Sequence, residues 1–307
     1  MAGLRASRVS AVAWRVRGGA LGAGRPDDGT WRAVRLRGRR MNAILTPLPW
    51  DSAQLGLPCS RLDWEPPVQA RPHDTWPDEW LPDELLTAMA TALHDAAHTA
   101  LVVGKLPAGL CEPSAMQAVL PGWRVQMLGV EVVHHRPASA SGVRGTRDAR
   151  GDRDDRDDVT LYAGTADPTP FLPLAWDMLY SRYHLDPEIS TTRAAALWEA
   201  SITDHCQGFA QETAVATLGG RPAGIATLHL DPETVRLHIV GVLAWARGQG
   251  VGRRLLEAVI ARHGHQRSLL VEAHAENRAA AALYGAVGCR PLRRYDVLHF
   301  RNLTFTM

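Results

Sequence analysis

The sequence predicts an α/β protein built on a mixed sheet and divided into two units of unequal size. Three observations lead there. Strand and helix periodicities alternate from residue 159 to residue 300. A shorter α/β stretch occupies residues 41–136. Between the two, residues 137–158 turn to Ser, Gly, Arg and Asp and end in the run Asp152-Arg153-Asp154-Asp155-Arg156-Asp157-Asp158. A run with no apolar residue cannot bury itself, so it reads as a charged linker.

The 307 residues suffice for one large or two ordinary domains, and 46% hydrophobic with 21% charged residues is a globular composition. The net charge of +2 is unevenly placed. Residues 1–40 hold ten Arg against Asp27 and Asp28, which leaves 24 basic and 30 acidic residues beyond them. That remainder lacks the basic excess of a nucleic-acid binder. Residues 1–40 have no apolar periodicity and no continuous apolar core for secretion. They read as a disordered leader, either an Arg-rich targeting segment or the product of a start set upstream of Met41, with the second preferred.

From Met41 onward, residues 42–48 and 59–63 read as short strands separated by Pro49-Trp50-Asp51-Ser52 and Gly56. Residues 66–82, rich in Pro and Trp, read as loop. Asp83 can cap a helix to about residue 98, with Leu85, Leu86, Met89 and Leu93 at helical spacing. Residues 100–104 and 124–135 read as strands. After the linker come a strand near Val159, helices at 171–184 and 191–206, and a hairpin of 214–218 with 223–229 turned by Gly219-Gly220-Arg221-Pro222. On the first helix Trp176, Leu179 and Tyr183 share a face. A strand at 235–242, a helix at 247–263, a strand at 268–273, a helix at 279–287 and a strand at 295–300 complete the chain.

The most informative stretch is residues 237–291. An apolar strand ending at Val242 runs into Arg247-Gly248-Gln249-Gly250-Val251-Gly252 and then a helix. Strand, glycine turn and helix form an anion-binding layout. Without side chains, backbone N–H groups approach a phosphate closely, and the helix adds its positive end. The order G-x-G-x-G differs from a dinucleotide loop, and no Lys follows as in a Walker loop. Downstream, Asn277-Arg278-Ala279-Ala280-Ala281-Ala282-Leu283-Tyr284 continues to Gly288 and Cys289.

Together these segments resemble the [RQ]-x-x-G-x-[GA] and N-x-x-A-x-x-L-Y-x-x-x-G-F patterns of GNAT N-acetyltransferases, with Cys289 standing where an aromatic is usual. The resemblance implies the GNAT acyl-CoA transferase fold and acetyl-CoA as acyl donor. It also implies roles. Val240 and Val242 bind pantetheine through main-chain groups. Arg247, Gly248, Gln249, Gly250, Val251 and Gly252 hold the pyrophosphate, and Asn277 touches the cofactor arm. Tyr284 matches the tyrosine that protonates the departing thiolate, and a phenol with pKa about 10 holds a proton to donate at neutral pH. Its alternative is an aromatic that merely packs. An amine attacks only when neutral. His238 resembles the histidine that serves some members as base, and a strand histidine that simply packs is the alternative. Glu272 and Glu276 are weaker bases, and a water chain needs no base.

The segment around Leu48-Pro49-Trp50-Asp51-Ser52 and Leu55-Gly56-Leu57-Pro58 resembles a GNAT subgroup similar to dTDP-4-amino-4,6-dideoxygalactose N-acetyltransferase. So does the stretch from Ser181 to Ile189, which implies Arg182, Tyr183 and His184 at the acceptor site. A nucleotide-linked aminosugar is one acceptor. A peptide or protein N-terminus or another small amine are others, and a non-catalytic acyl-CoA-binding domain is the remaining class. Some of the ten Trp can line an acceptor pocket.

Cys59, Cys111, Cys206 and Cys289 show no zinc or redox spacing and read as reduced thiols of a cytoplasmic protein. No metal is expected. His94 and His98, four apart, lack a third ligand, and His134 and His135 point to opposite faces. No apolar run reaches membrane-spanning length. The expected partner is a small-molecule amine, with neither nucleic acid nor membrane, and a homodimer is left open.

Overall fold

The computed structural model describes residues 32–36, 39–65, 82–94, 96, 98–139 and 158–305. The expectations for residues 1–31, the loop at 66–81 and the charged run at 152–157 lie outside the described residues. So does the side chain of Asp83.

One mixed sheet organises the chain. In chain order its strands are β1 (Arg32–Leu36), β2 (Arg39–Pro47), β3 (Cys59–Glu65), β4 (Leu101–Pro107), β5 (Trp123–Arg136), β6 (Val159–Ala163), β7 (Glu212–Leu218), β8 (Arg221–Leu230), β9 (Thr234–Val242), β10 (Ser268–His274) and β11 (Arg290–Asn302). The sheet order is β1-β2-β3-β4-β11-β5-β10-β9-β8-β7-β6. The pairs β3–β4 and β9–β10 are parallel, and the other described pairs are antiparallel. The strand pattern thus begins ahead of Met41, so residues 32–36 and 39–40 are paired strand rather than disordered leader.

The helices are α1 (Pro49–Leu55), α2 (Pro82–His94), α3 (Pro113–Val119), α4 (Arg182–Leu185), α5 (Thr191–Asp204), α6 (Val251–His263) and α7 (Arg278–Ala286). One sheet face is covered by α2 and α3, which pack on Leu62, Val102, Leu106, Leu298 and Phe300. On the same face α6 and α7 pack on Leu228, Val235, Leu237 and Val271. The alternation of side chains along each strand, shifted on β9 by one inserted residue, sends Leu101, Val103, Ile225 and Ile239 to the opposite face. There they meet α1, α4, α5 and the 3-10 segment Thr169–Asp177.

The two sequence units share strands. Strand β5, which precedes the linker, lies between β10 and β11, and β11, the last strand, lies between β4 and β5. Each half therefore completes its ladder with a strand of the other.

Three elements differ from expectation. Residues 171–184 are not one helix. Pro170 and Pro173 remove two N–H donors, so the chain forms the 3-10 segment and then the single turn α4. Trp176 and Leu179 are consequently exposed while Tyr183 is buried. Pro49-Trp50-Asp51-Ser52, read as a separator, begins α1, with Pro at its start and Gly56 ending it in the left-handed region at φ 64°. Helix α3 was not anticipated because its seven residues give too short a window for periodicity.

Candidate acyl-CoA site

The site is built where two parallel strands part. Strands β9 and β10 pair from Thr234/Ser268 to Leu237/Val271 and no further. Opposite β8, one residue is inserted on β9. Ala226 pairs with Val240 and Leu228 with Leu237, so His238 and Ile239 together face Thr227. The bulge is anchored by Ile239 N–H donating to the Thr227 hydroxyl at 3.1 Å. A bulge bends its strand away from the regular ladder, here at the point where β9 leaves β10. Beyond it, Leu243 N–H donates to Ala223 O. By the two-residue alternation of an antiparallel ladder, the peptide groups of Gly241 also turn to β8, and those of Val240 and Val242 turn to the gap.

At the head of the gap, Gly248 and Gly250 sit at φ 76° and 75°, the left-handed region that side chains disfavour. A Cβ on either would meet nothing within 4 Å, so their backbones face open space. Gly250 caps α6 without any side-chain hydrogen bond, leaving the first amides of a 13-residue helix for an outside acceptor. Gly252 serves packing, because a Cβ there would lie 3.1 Å from Leu283 and 3.4 Å from Val242. Val251 is buried and offers only its amide. Gln249 donates to Trp245 O at 3.1 Å.

Arg247 is already engaged. Its guanidinium donates to Val242 O at 3.0 Å and to Asp177 at 2.5 Å. It tethers the loop to the strand end and occupies one of the carbonyls expected to serve pantetheine. Arg253 pairs with Glu257, and Arg254 reaches Thr217 O, so neither is committed to the loop.

Tyr284 is buried on α7 and stacks edge-on to His134 at 5.3 Å. Its burial raises the phenol well above its ordinary value, so it holds its proton. Asn277 caps α7, its side-chain oxygen accepting from Ala280 N–H at 3.1 Å. The cofactor role expected of it would fall to the amide nitrogen.

His238 lies on the face of the gap opposite α6 and α7. Enclosure by the cleft walls pushes its imidazole well below the usual value, and the charges of His205, His229, Arg182 and Lys105 act in the same sense. The ring nevertheless remains exposed to solvent, so water screens part of that effect.

Sequence reasoning missed a polar cluster beside it. Lys105 of β4 contacts Glu131 of β5 at 2.5 Å and Glu272 of β10 at 2.6 Å. Desolvation works against the ammonium, but the two carboxylates more than offset it and raise its pKa, while Lys105 lowers that of Glu131. Glu272, considered as a base, is thus held as an ion-pair partner. These residues stand 26 and 141 positions apart along the chain, which no motif reveals.

Arg182 and Tyr183 bind Asp51 of α1, Arg182 at 3.2 Å and Tyr183 through a short bond from its hydroxyl. Tyr183 packs with Leu48, Leu101 and Leu197, which places it in the core rather than on an open wall. Arg182 is close enough to His238 and Glu131 to act on their charges. His184 accepts or donates at Ser181 Oγ, 2.9 Å away, and its Nε2 is buried without a partner. Tyr180, exposed at its edge, stacks on His274 at 5.7 Å where β10 passes beyond its pairing with β9.

Residues 174–288 match the acetyltransferase (GNAT) family. No curated protein matches the chain at a significant level. Among solved structures, a functionally unknown conserved protein from Staphylococcus epidermidis is similar with a TM-score of 0.51 at 15% identity, over 89% of this chain and 94% of that one. A GCN5-related N-acetyltransferase from Kribbella flavida aligns with a TM-score of 0.48 at 14% identity, over 89% and 90%. A tandem GNAT protein from the clavulanic acid biosynthesis pathway does so with 0.48 at 17%, over 90% and 83%. The carboxyl half has the GNAT fold, and the chain is an acyltransferase enzyme by class. Among the described residues no helix is long and apolar enough to cross a membrane.

Proposed function

We propose that the protein transfers the acetyl group of acetyl-CoA to a primary amine by direct attack in a ternary complex. The observation that carries this reading is the parting of β9 from β10 after Leu237 and Val271, with the peptide groups of Val240 and Val242 turned into the gap. That edge suits the amide-bearing pantetheine arm. The uncapped amides of α6 behind Gly248 and Gly250 suit the pyrophosphate. In the reaction the amine nitrogen bonds to the thioester carbonyl, the carbon–sulfur bond breaks, and the thiolate takes the proton of Tyr284. The proton lost by the amine passes to His238, whose lowered pKa keeps the imidazole neutral and able to accept.

For the acceptor, a nucleotide-linked aminosugar is favoured. The pattern at residues 48–58 supports it, as does the exposed Trp176, an aromatic side chain of the kind that suits a sugar ring. Residues 41–136 are proposed as an amino-terminal unit contributing to the acceptor side, with Arg182 and His184 at its border. The acceptor is a small molecule rather than nucleic acid.

A thermal-shift titration with acetyl-CoA tests the donor, and thiol release with aminosugar nucleotides, peptides and polyamines tests the acceptor. Absence of any shift at saturating acetyl-CoA removes the proposal. Tyr284→Phe is expected to lower turnover by about 100-fold with little change in KM for acetyl-CoA. Unchanged turnover would leave Tyr284 as a packing residue.

A further inference from the structure

We propose that His205, His229 and His238 form a site for a divalent transition-metal ion of the zinc class at the edge of the gap. The three residues come from separate elements. His205 follows α5 in a π-helical turn, His229 lies near the end of β8, and His238 sits in the bulge of β9. Each offers a ring nitrogen, and the three nitrogens lie within 4.8 Å of one another. Tetrahedral coordination at about 2.0–2.1 Å brings ligand nitrogens to roughly 3.4 Å of each other. Modest rotation of the side chains, with His238 exposed and able to turn, covers that difference.

A second observation points to a ligand. His205 Nδ1 lies 2.7 Å from Ser201 O. A carbonyl only accepts, so Nδ1 carries the proton and Nε2 presents a bare lone pair. That Nε2 is buried and has no partner among the described residues, in a side chain only 3% exposed. A buried acceptor without a donor is costly, and histidines that ligate metals commonly give their other N–H to a backbone carbonyl in this way. The rings of His205 and His238 stack at 4.5 Å, and Phe209 packs edge-on against His205 at 4.8 Å and His229 at 5.2 Å, walling the cluster on one side. Three neutral imidazoles with one side open to solvent fit zinc, copper or nickel better than magnesium or calcium, which take oxygen ligands. The expectation of no metal came from sequence spacing alone. His205, His229 and His238 lie 24 and 9 residues apart on three elements, outside any recognisable ligand motif.

An ion bound here takes the lone pair of His238. The loaded state would therefore withdraw His238 from proton transfer. The binding claim itself stands apart from the acyl-transfer reading and is measured without activity. The chelator-treated full-length chain is titrated with zinc(II) by calorimetry and with cobalt(II) by visible absorption. His229→Gln and His238→Gln are compared with a His98→Gln control, and each variant is checked for an unchanged thermal unfolding curve. The expected result is one equivalent bound per chain, with d–d bands of a tetrahedral nitrogen-ligated cobalt. Affinity should fall by about 10-fold or more in both cluster variants and not in the control. No binding to the parent chain, or equal binding by the cluster variants, would overturn the site. Loss of binding with retained acetyl-CoA affinity would support the metal site and leave the acyl-transfer reading intact.

Discussion

At the residue scale, single atoms decide what the gap can hold. Gly250 occupies φ 75° as the cap of α6. Gly250→Ala forces a Cβ into the left-handed region at a cost of about 1 kcal/mol. The open space around it means the loss should appear both in the unfolding midpoint and as weaker acetyl-CoA binding by calorimetry. Retained affinity would show that the loop does not hold the pyrophosphate. Asn277 separates two roles that its neighbours combine. Asn277→Ala removes the cap of α7 and should cost about 1 kcal/mol in urea unfolding. Asn277→Asp keeps the cap oxygen but loses the amide N–H donors. It should therefore keep stability while raising KM for acetyl-CoA, if the amide meets the cofactor arm. An unchanged KM would confine Asn277 to capping.

At the element scale, the bulge in β9 sets the geometry of the site. Because His238 and Ile239 share one face, Val240 and Val242 reverse the side they would otherwise present, and Ile239 joins Phe171 and Leu174 in the core. Thr227 holds the bulge through its hydroxyl at 3.1 Å and is itself fully buried. Thr227→Val keeps the shape but leaves the Ile239 amide without that acceptor. A loss of about 1–3 kcal/mol is expected in denaturant unfolding. A parallel loss of acetyl-CoA affinity would tie the bulge to the site, and normal binding would separate them. The 3-10 segment Thr169–Asp177 acts from the other side. Its Asp177 fixes Arg247, so the loop is braced by an element that the periodicity of residues 171–184 had suggested to be plain helix.

At the scale of the whole molecule, the exchange of β5 and β11 binds the two halves into one sheet. Under the α4–α5 corner lies a buried network. His299 donates Nδ1–H to Asp186 at 2.7 Å, Arg301 adds its charge at 2.6 Å, and all three bridge β11 to that corner. Desolvation opposes the Asp186 carboxylate, but its hydrogen bond with His299 and the Arg301 charge hold its pKa below the ordinary value. Arg301 supplies the positive charge, so His299 stays neutral, its own pKa lowered mainly by burial. His134, buried on β5, is lowered for the same reason. A histidine neutral in the folded state and protonated once unfolded contributes fully above its unfolded value of about 6.5. That contribution falls as pH drops below 6.5 towards the folded value. Each such residue steepens the loss by up to about 1.4 kcal/mol per pH unit. The unfolding midpoint should therefore decline from pH 6.5 downward, and His299→Gln should flatten that decline. An unchanged pH dependence would show that His299 is protonated in the native state.

Much of this was legible in one dimension. The strand, glycine loop and helix around residues 237–263 are local, because the φ preferences of Gly248 and Gly250 and the periodicity of α6 act over a few residues. The same holds for the Asn277 cap and the Gly219-Gly220 hairpin, both set by near neighbours. By itself the sequence determined the strand, glycine loop and helix of the proposed acyl-CoA cradle and the class of fold that carries them. Only the tertiary structure decided which side chains surround it. Lys105, Glu131 and Glu272 converge because β11 and β5 are exchanged between the halves, and His205, His229 and His238 converge because β8 and β9 pair side by side and the end of α5 packs on the face that carries both strand histidines. Arg247 is spoken for because Asp177 arrives from a segment whose prolines keep it out of an α-helix. Contacts between residues distant in the chain depend on which strands pair and which helices pack, and pairing is settled by the burial of the whole sheet rather than by any local preference.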